Sequence, residues 1–442
     1  MSDTLFPVPE SSSPCEAPEV KGIPRFVSPN RAQVELRALD LESLLPLDHA
    51  ARAVWEFVSS LDLGPLESKT RSVEGRAGRP ATDPRIFLAL WLYATTEGVG
   101  SARALERLTE VHDAYRWIAG GVAVNYHSLS DFRSGHRAYL DKVLTQSVAV
   151  LMKEDLVTLN RVSQDGTRVR ANAGASSFRR KPTLEACLEL AKEQVERLKQ
   201  ELQDDPAATS RRQTAARQRA AEDRHRRVSA ALAQMPDAES KKAEDKKDQA
   251  RVSTTDADAR VMKMGDGGFR PAYNAQFSVD TESQIVVGVE VSNSGSDQGK
   301  LVPMLVQLQG RYGQIPKETL VDGGFAGLKD ILKASELGTT IYAPVPKPKD
   351  QSRDPHKPLD TDPVAIGEWR QRMGTAEAKE IYKDRAATVE CVNALARNRG
   401  LQRLLVRGLE KVRSVLLWFA ITHNMMRALS LRAAARQAVV AA

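Results

Sequence analysis

The chain of 442 residues is long enough for two or three domains with hydrophobic cores. With 41% hydrophobic and 27% charged residues, it has the composition of an ordinary water-soluble protein. The formal net charge of +7 suits a polyanionic partner, and equally a plain solvated surface. Cys15, Cys187 and Cys391 are odd in number and far apart, which excludes a CxxC zinc site and a complete disulfide framework and favours a reducing cytoplasm.

No export or membrane signal stands out in the sequence. The opening run, MSDTLFPVPESSSP, has acids and prolines where a signal peptide has a basic and then an apolar stretch. The most apolar late run, 415–421, is too short to span a bilayer. We therefore expect a cytoplasmic protein with no membrane role. Residues 1–30 are rich in Pro and Ser and predict a disordered arm.

Helical patterns dominate residues 31–155 and predict an all-helical domain. The run IFLALWLYATTEG after Asp83 is apolar on most sides, which predicts a buried helix. Short polar side chains accept hydrogen bonds from the first N–H groups of a helix, so they mark helix starts. The predicted starts are Asp48, Asp83, Ser101 and either Ser128 or Ser130.

A basic loop, KTRSVEGRAGRPATDP, interrupts this helical region. Its guanidinium groups are candidates for contacts with DNA phosphates or with the minor groove. The alternative is a loop that is simply solvated. The candidate DNA-binding residues are Lys69, Arg71, Arg76 and Arg79.

From residue 156 the pattern changes, and LVTLNRVSQDG predicts a strand that ends at Asp165. Residues 171–260 then predict an inserted helical hairpin of coiled-coil type. Asp204-Asp205-Pro206 is expected to end its first helix, and a second helix around Val228 is expected to fold back on the first. The apolar residues of the first helix step by 4, 3, 4, 3 and 4: Leu184, Leu188, Ala191, Val195, Leu198 and Leu202.

Beyond the insertion, strand patterns return. FRPAYNAQFSVD and QIVVGVEVSN predict a hairpin, LVPMLVQLQG a helix, and ETLV a strand that ends at Asp322. A further strand, IYAPV, and helices from about residue 375 follow. This order resembles the α/β ribonuclease-H-like fold and predicts such a catalytic core over 156–430, interrupted by the insertion at 171–260 and followed by a tail at 431–442.

Three acids point to metal chemistry. Asp165 and Asp322 each follow a strand-like run and precede a glycine, and Glu390 lies in a segment with helical spacing. Carboxylates on neighbouring strands and a nearby helix are able to converge on hard divalent cations. Each aspartate has the alternative role of starting a turn, and the glutamate that of a helix-surface residue. Asp297 is expected to cap the next helix rather than join the site, and Asp266 and Asp280 carry the same caution.

These residues resemble a known family. SQDGTRVRANAG, VDGGF and YKDRAATVECVNALAR look like the acidic motifs of bacterial insertion-sequence transposases of the DDE class, in the group with a Tyr-Arg-Glu-Lys signature. The resemblance extends over residues 35–430. Tyr382, Arg385 and Glu390 match the signature, and Arg397 stands where the pattern has lysine, which keeps the charge but changes its geometry.

The resemblance implies that Asp165, Asp322 and Glu390 hold two Mg²⁺ ions, which Mn²⁺ is able to replace, and that Arg385 and Arg397 grip DNA. An ion pair within the helix is the alternative for the arginines. Tyr382 either stacks on a base or packs in the core.

The function implied by the resemblance is that of a DNA transposase. It would bind the terminal inverted repeats of its element, cleave them and transfer the 3′ ends to target DNA, as a homodimer on double-stranded DNA. Two alternatives come from other classes of protein. One is a non-catalytic DNA-binding protein, such as an inactivated transposase copy, and the other is a structural coiled-coil protein.

Overall fold

The fold is described from a computed structural model. It describes residues 32, 38, 40–68, 70, 72, 73, 75, 80–204, 211–348 and 352–441. The predicted arm at 1–30 and the four basic loop residues lie outside the described residues: Lys69, Arg71, Arg76 and Arg79.

Helices fill the described chain between residues 50 and 153. Helix α3 is buried on all sides from Ile86 to Ala94, as its apolar run predicts. Asp83 caps α3 and Ser101 caps α4, which confirms both predicted starts. The helices are α1 (Ala50–Ser59), α2 (Gly64–Glu67), α3 (Pro84–Thr96), α4 (Ala102–Val111), α5 (Asp113–Ala119), α6 (Tyr126–Gly135) and α7 (Arg137–Lys153).

Two predicted helix starts are wrong. Helix α1 is capped by the ring nitrogen of His49 rather than by Asp48, because any acceptor at the right position satisfies a first-turn N–H group. Helix α6 is capped by Asn125, which is as good a cap as serine, and it contains both Ser128 and Ser130.

The main sheet has six strands, and their order across the sheet is β4-β5-β1-β7-β8, with β6 also paired to β5. Strands β1, β5 and β6 are antiparallel neighbours, whereas β1, β7 and β8 run parallel. Strands β2 and β3 form a separate pair outside this sheet. The strands of the described chain are β1 (Arg161–Arg170), β2 (Phe178–Arg179), β3 (Val252–Ser253), β4 (Arg260–Lys263), β5 (Phe269–Asp280), β6 (Val286–Ser292), β7 (Glu318–Val321) and β8 (Thr340–Tyr342).

The predicted end of β1 is wrong. The strand does not stop at Asp165 but continues to Arg170, because β5 pairs with it along its length, from Val162 opposite Asp280 to Arg170 opposite Ala272. The predicted hairpin of β5 and β6 and the predicted end of β7 before Asp322 are confirmed.

The segment between β1 and β4 contains the expected helical hairpin. Helix α8 (Lys181–Asp204) ends at the predicted break, and α9 (Arg211–Ala233) packs against it. Leu184 near the start of α8 shares a small core with Ala231 near the end of α9, so the two helices are antiparallel. The short helix α10 (Met235–Ser240) and the pairing of β2 with β3 close the base of the hairpin.

Helices complete the rest of the chain. One turn between α14 and α15, Ala386–Glu390, is a π-helix. Helix α16 continues through the segment for which a tail was predicted. The helices are α11 (Leu301–Tyr312), α12 (Leu328–Glu336), α13 (Val364–Gly374), α14 (Ala376–Arg385), α15 (Cys391–Asn398) and α16 (Leu409–Ala441).

Helix α16 ties the helical region to the sheet. It packs against α3, α6, α7 and β6, so one hydrophobic core extends from the first helices through β1 and β5. Asn424 of α16 bonds both the N–H and the C=O of Val286, and His423 bonds the C=O of Gln284. Both side chains are buried, so both residues belong to the core. Among the helices described, none is long and apolar enough to cross a membrane.

Candidate active site

Sheet register brings the first two acids together. In the parallel pair of β1 and β7, Gln164 lies opposite Val321. The next residues, Asp165 in β1 and Asp322 just after β7, are therefore at the same level along two strands of the kind that lie about 4.8 Å apart. The charge of Asp322 raises the pKa of Asp165, which is consistent with this proximity.

Glu390 is connected to Asp165 by ion pairs with Arg385. The guanidinium of Arg385 lies 2.6 Å from Oε1 of Glu390 and 3.2 Å from Oδ1 of Asp165. The side chain of Arg385 is 13% exposed and that of Glu390 is 50% exposed. One buried cation thus joins two of the predicted acids, and the alternative predicted for Arg385, an ion pair within the helix, is present.

The π-helical turn sets the direction of this part of the chain. A π turn carries one extra residue and leaves backbone carbonyl groups without their usual helical partners. The hydroxyl of Thr388 donates to the carbonyl of Asp384, and the side chain of Gln284 donates to the carbonyl of Ala387. Asp384 itself is held by Arg161 of β1, at 2.7 Å. The turn is therefore fixed both by its own threonine and by the sheet.

Asn393 is a site residue that sequence reasoning missed. It is buried, lies one helical turn after Glu390, and donates from Nδ2 to Oδ2 of Asp165 at 3.0 Å. The only sequence signal for it is its spacing of three residues from Glu390, which places both side chains on one face of the helix.

The ionisation of Asp165 depends on opposing influences. Burial raises its pKa, the charge of Arg385 lowers it, and the charge of Asp322 raises it. The net effect is a raised pKa. For Arg385, burial lowers the pKa, but Asp165 and the other acids outweigh burial and raise it. Opposite charges therefore lie close together at largely buried side chains, as is common at functional sites.

Tyr382 packs against the second hydrophobic core, which contains Trp369 and Phe325. Burial raises the pKa of its hydroxyl, and Asp322, Glu390 and Asp165 add to that effect while Arg385 opposes it. The core-packing role predicted for Tyr382 is confirmed. Stacking on a base stays a prediction.

Asp297 does not cap a helix, so its predicted role is wrong. Helix α11 begins at Leu301 without a side-chain cap, and Asp297 is buried beside the sheet instead. Its Oδ1 accepts from Asn274 and Gln276 at 2.7 Å each, and its Oδ2 pairs with Arg168 at 3.2 Å. These partners come from long-range strand pairing, which a local pattern does not reveal.

Asp297 nevertheless lies beside the acids of the site. Its charge contributes to the raised pKa of Asp165. A Cβ atom placed on Gly324 would be 3.6 Å from Oδ2 of Asp297 and 3.6 Å from Oδ2 of Asp322. Asp297 is therefore close to the predicted site, but its oxygens are bound to Asn274, Gln276 and Arg168.

The remaining candidate acids and the last arginine lie apart from these contacts. Asp266 is exposed and pairs with Arg270, and Asp280 accepts from Ser283 in the turn between β5 and β6. Arg397 is exposed, and its Nε donates to the backbone carbonyl of Asn393.

The donor set suits a hard cation, although it is not arranged around one. Within the described residues, no three His, Cys, Asp or Glu side chains are placed to hold a metal ion as they stand. The reason near Asp165 is that Arg385 occupies the space between Asp165 and Glu390. Two atoms there, Oδ1 of Asn393 and Nε of Arg385, are buried without a hydrogen-bond partner. The carboxylate oxygens of Asp165 and Glu390 and the amide oxygen of Asn393 are of the type that Mg²⁺ prefers as ligands.

Two segments of the chain match known protein families. Residues 39–135, which contain α1 to α6, match the family described as Transposase domain (DUF772). Residues 364–429, from α13 into α16, match the family described as Transposase DDE domain. Both matched segments are transposase domains, which confirms the resemblance to an insertion-sequence DDE transposase. No curated protein and no solved structure matches the chain.

The second match covers the helical part of the site. Tyr382, Arg385, Glu390 and Arg397 of the transposase all lie within it. Asp165 and Asp322 lie outside both matched segments, so their assignment depends on the sheet register and on the ion pairs described above.

Proposed function

We propose that this transposase cuts the DNA ends of its element and joins their 3′ ends to target DNA. The observation that supports the proposal is that Arg385 pairs with both Asp165 and Glu390, which are distant in sequence, and that the charge of Asp322 acts on both Asp165 and Arg385. The order of the sheet strands, with β1 between antiparallel β5 and parallel β7, supports a ribonuclease-H-like core.

In this proposal Asp165, Asp322 and Glu390 hold two Mg²⁺ ions, with Mn²⁺ as a substitute. When bound, such ions lower the pKa of an attacking water or 3′-hydroxyl and stabilise the leaving oxygen. Asn393 orients Asp165 through its Oδ2. Arg385 offsets the mutual repulsion of the acids in the free protein and, once released from them, binds a DNA phosphate. Exposed Arg397 is a second phosphate contact.

The rest of the chain supplies DNA recognition. We propose that the helical region at 31–155 binds the terminal inverted repeats, with Lys69, Arg71, Arg76 and Arg79 on the phosphates or in the minor groove. The catalytic region at 156–430 carries the insertion at 171–260. Because two ends must be held together, we expect a homodimer on double-stranded DNA, acting in the cytoplasm.

The test is strand nicking at a duplex that carries the inverted repeat bordering the gene. The wild type is expected to nick it only with Mg²⁺ or Mn²⁺. Asp322→Asn is expected to reduce the rate to background, whereas Asp360→Asn, at an exposed aspartate outside the site, is expected to keep it. Full activity of Asp322→Asn would remove Asp322 from the reaction, and activity in EDTA would remove the metal ions.

A further inference from the structure

A basic cavity lies between the helical region and α16, apart from the acids. Its volume is about 70 Å³. One water needs only ~10–15 Å³, so there is room for a group the size of a phosphate. Its wall combines aromatic rings with guanidinium groups: Trp91, Trp418, Phe419, Arg133, Arg399 and Arg403.

Arg133 is an unusual lining residue because it is 8% exposed and lacks an acidic partner among the described residues. It donates from Nη1 to the carbonyl of Gly100, and its guanidinium lies 4.8 Å from the ring centre of Trp91. Its Nε is buried without a partner. Burial lowers the pKa of Arg133 to about 10, and no acid counters that effect.

Arg399 repeats this situation on the other wall. It is half-buried, its Nη1 is buried without a partner, and burial is the sole cause that lowers its pKa. By contrast, the half-buried Arg161 and Arg370 are paired with carboxylates, whereas Arg372, which is half-buried too, donates to the carbonyl of Ile341. A cation removed from water without a counter-ion is unfavourable, so buried Arg133 and half-buried Arg399 on one cavity favour the entry of an anion.

We infer that this cavity is a phosphate-binding pocket and that it receives a backbone phosphate of bound DNA. The naming of DNA rests on the proposed function, whereas the pocket itself does not. Glu390 and Arg399 lie at the two ends of α15, so the cavity is separate from the acids.

The first experiment measures binding of inorganic phosphate to the full chain by titration calorimetry, at constant ionic strength with chloride as the replaced anion. The wild type is expected to bind, Arg399→Gln to bind about tenfold more weakly, and Arg399→Lys to fall between them. The matched control is Arg432→Gln, since Arg432 of α16 pairs with Glu154 outside the cavity. Arg403→Gln is a second test at an exposed lining residue, and circular dichroism establishes that each variant is folded.

The second experiment measures the salt dependence of DNA binding. Loss of one phosphate contact is expected to make the slope of log K against log salt shallower by about 0.9 in Arg399→Gln, with no change in Arg432→Gln. Equal phosphate binding by wild type and by both cavity variants would overturn the pocket. Weaker phosphate binding with an unchanged DNA slope would overturn the DNA assignment. A protein that binds phosphate through Arg399 but binds no DNA would contradict the proposed function while the pocket stands.

Discussion

Arg385 and Glu390 are five residues apart in the chain, yet their side chains meet at 2.6 Å. In an α-helix, residues that touch are three or four apart, and a separation of five would turn the two side chains about 140° from each other. The π turn at Ala386–Glu390 absorbs the extra residue. Glu390 therefore faces Arg385, and Asn393, one turn later, faces Asp165.

This relationship predicts opposite results for adding and removing one residue. Deletion of Ala387 converts the π turn into α-helix and leaves Arg385 four residues from the glutamate, so both stay on one face. We expect the deletion to keep metal-dependent nicking. Insertion of an alanine after Ala387 turns α15 by about 100° and is expected to abolish nicking.

The measurement is the nicking rate beside the thermal melting curve of each variant. The matched control is an alanine inserted after Gly374, between α13 and α14, where the chain already leaves the helical path at Thr375. That control is expected to lose less activity than the insertion after Ala387. Equal activity of the two Ala387 variants would contradict the role of the π turn.

Asn393 is predicted to support the metal site by orienting Asp165. Its replacement by alanine removes the hydrogen bond to Oδ2 of Asp165, at 3.0 Å in the structure. Loss of such an outer partner typically costs about 10–100-fold in metal affinity or activity. We expect a weaker Mn²⁺ affinity, measured by electron paramagnetic resonance, and a matching fall in nicking rate.

The control for this prediction is Asn398→Ala, at an exposed asparagine near the end of the same helix. It is expected to keep both the Mn²⁺ affinity and the rate. An Asn393→Ala protein that binds Mn²⁺ like the wild type would show that Asp165 is held in place without the amide.

Local patterns were enough to propose Asp165, Asp322 and Glu390 as site residues, because each has a signature close to it in sequence. Asp322 follows a short apolar strand, and the helix around Glu390 carries a recognisable set of residues. The contacts of Asp165 escaped prediction. The hydrogen bond from Asn393 and the influence of Asp297 come from residues more than a hundred positions away, which the fold brings close to Asp165.

The capping errors have a similar cause. At α6 the sequence offers Asn125, Ser128 and Ser130 within a few residues, and all three are good caps. Burial of Leu129 and Phe132 against the core decides the register of the helix, and this leaves Asn125 at its start. The local pattern also underestimates the length of β1, since the strand continues past Asp165 through its pairing with β5.

Gly166 is predicted to be intolerant of any side chain. A Cβ atom there would overlap Oδ1 of Asp297 and Nε2 of Gln276, and would lie 2.7 Å from Oδ1 of Asn274. Gly166→Ala is therefore expected to lower the free energy of unfolding by about 1–3 kcal/mol, the usual cost of overpacking. Urea denaturation measures this change.

Gly310→Ala is the matched control, because Gly310 lies inside α11 with open space around it. It is expected to stabilise the protein by roughly 1 kcal/mol, since alanine favours a helix over glycine. In a double-mutant cycle, Gly166→Ala is expected to cost less in an Asp297→Ala background than in the wild type, because one of the overlapping atoms is then absent. A Gly166→Ala protein as stable as the wild type would mean that the carboxylate of Asp297 moves aside easily.

His423 is predicted to make the fold sensitive to acid. Burial lowers its pKa to about 4, with Arg399 and Arg427 adding to the effect. The neutral ring donates from Nε2 to the carbonyl of Gln284. In the unfolded chain the same ring takes up a proton near pH 6.5. Between about pH 6.5 and pH 4 the unfolded state therefore binds a proton that the folded state does not. The free energy of unfolding consequently falls as the pH is lowered through this range.

The expected loss from this one residue is about 3 kcal/mol across that window, and none above it. Urea melts at pH 7, 5.5 and 4.5 measure it. His423→Gln is expected to be less stable at pH 7 but to lose less stability on acidification, whereas His127→Gln, at an exposed position, is expected to follow the wild type. The substitution removes the titrating imidazole. If His423→Gln nevertheless loses stability on acidification as steeply as the wild type, groups other than His423 cause the acid sensitivity.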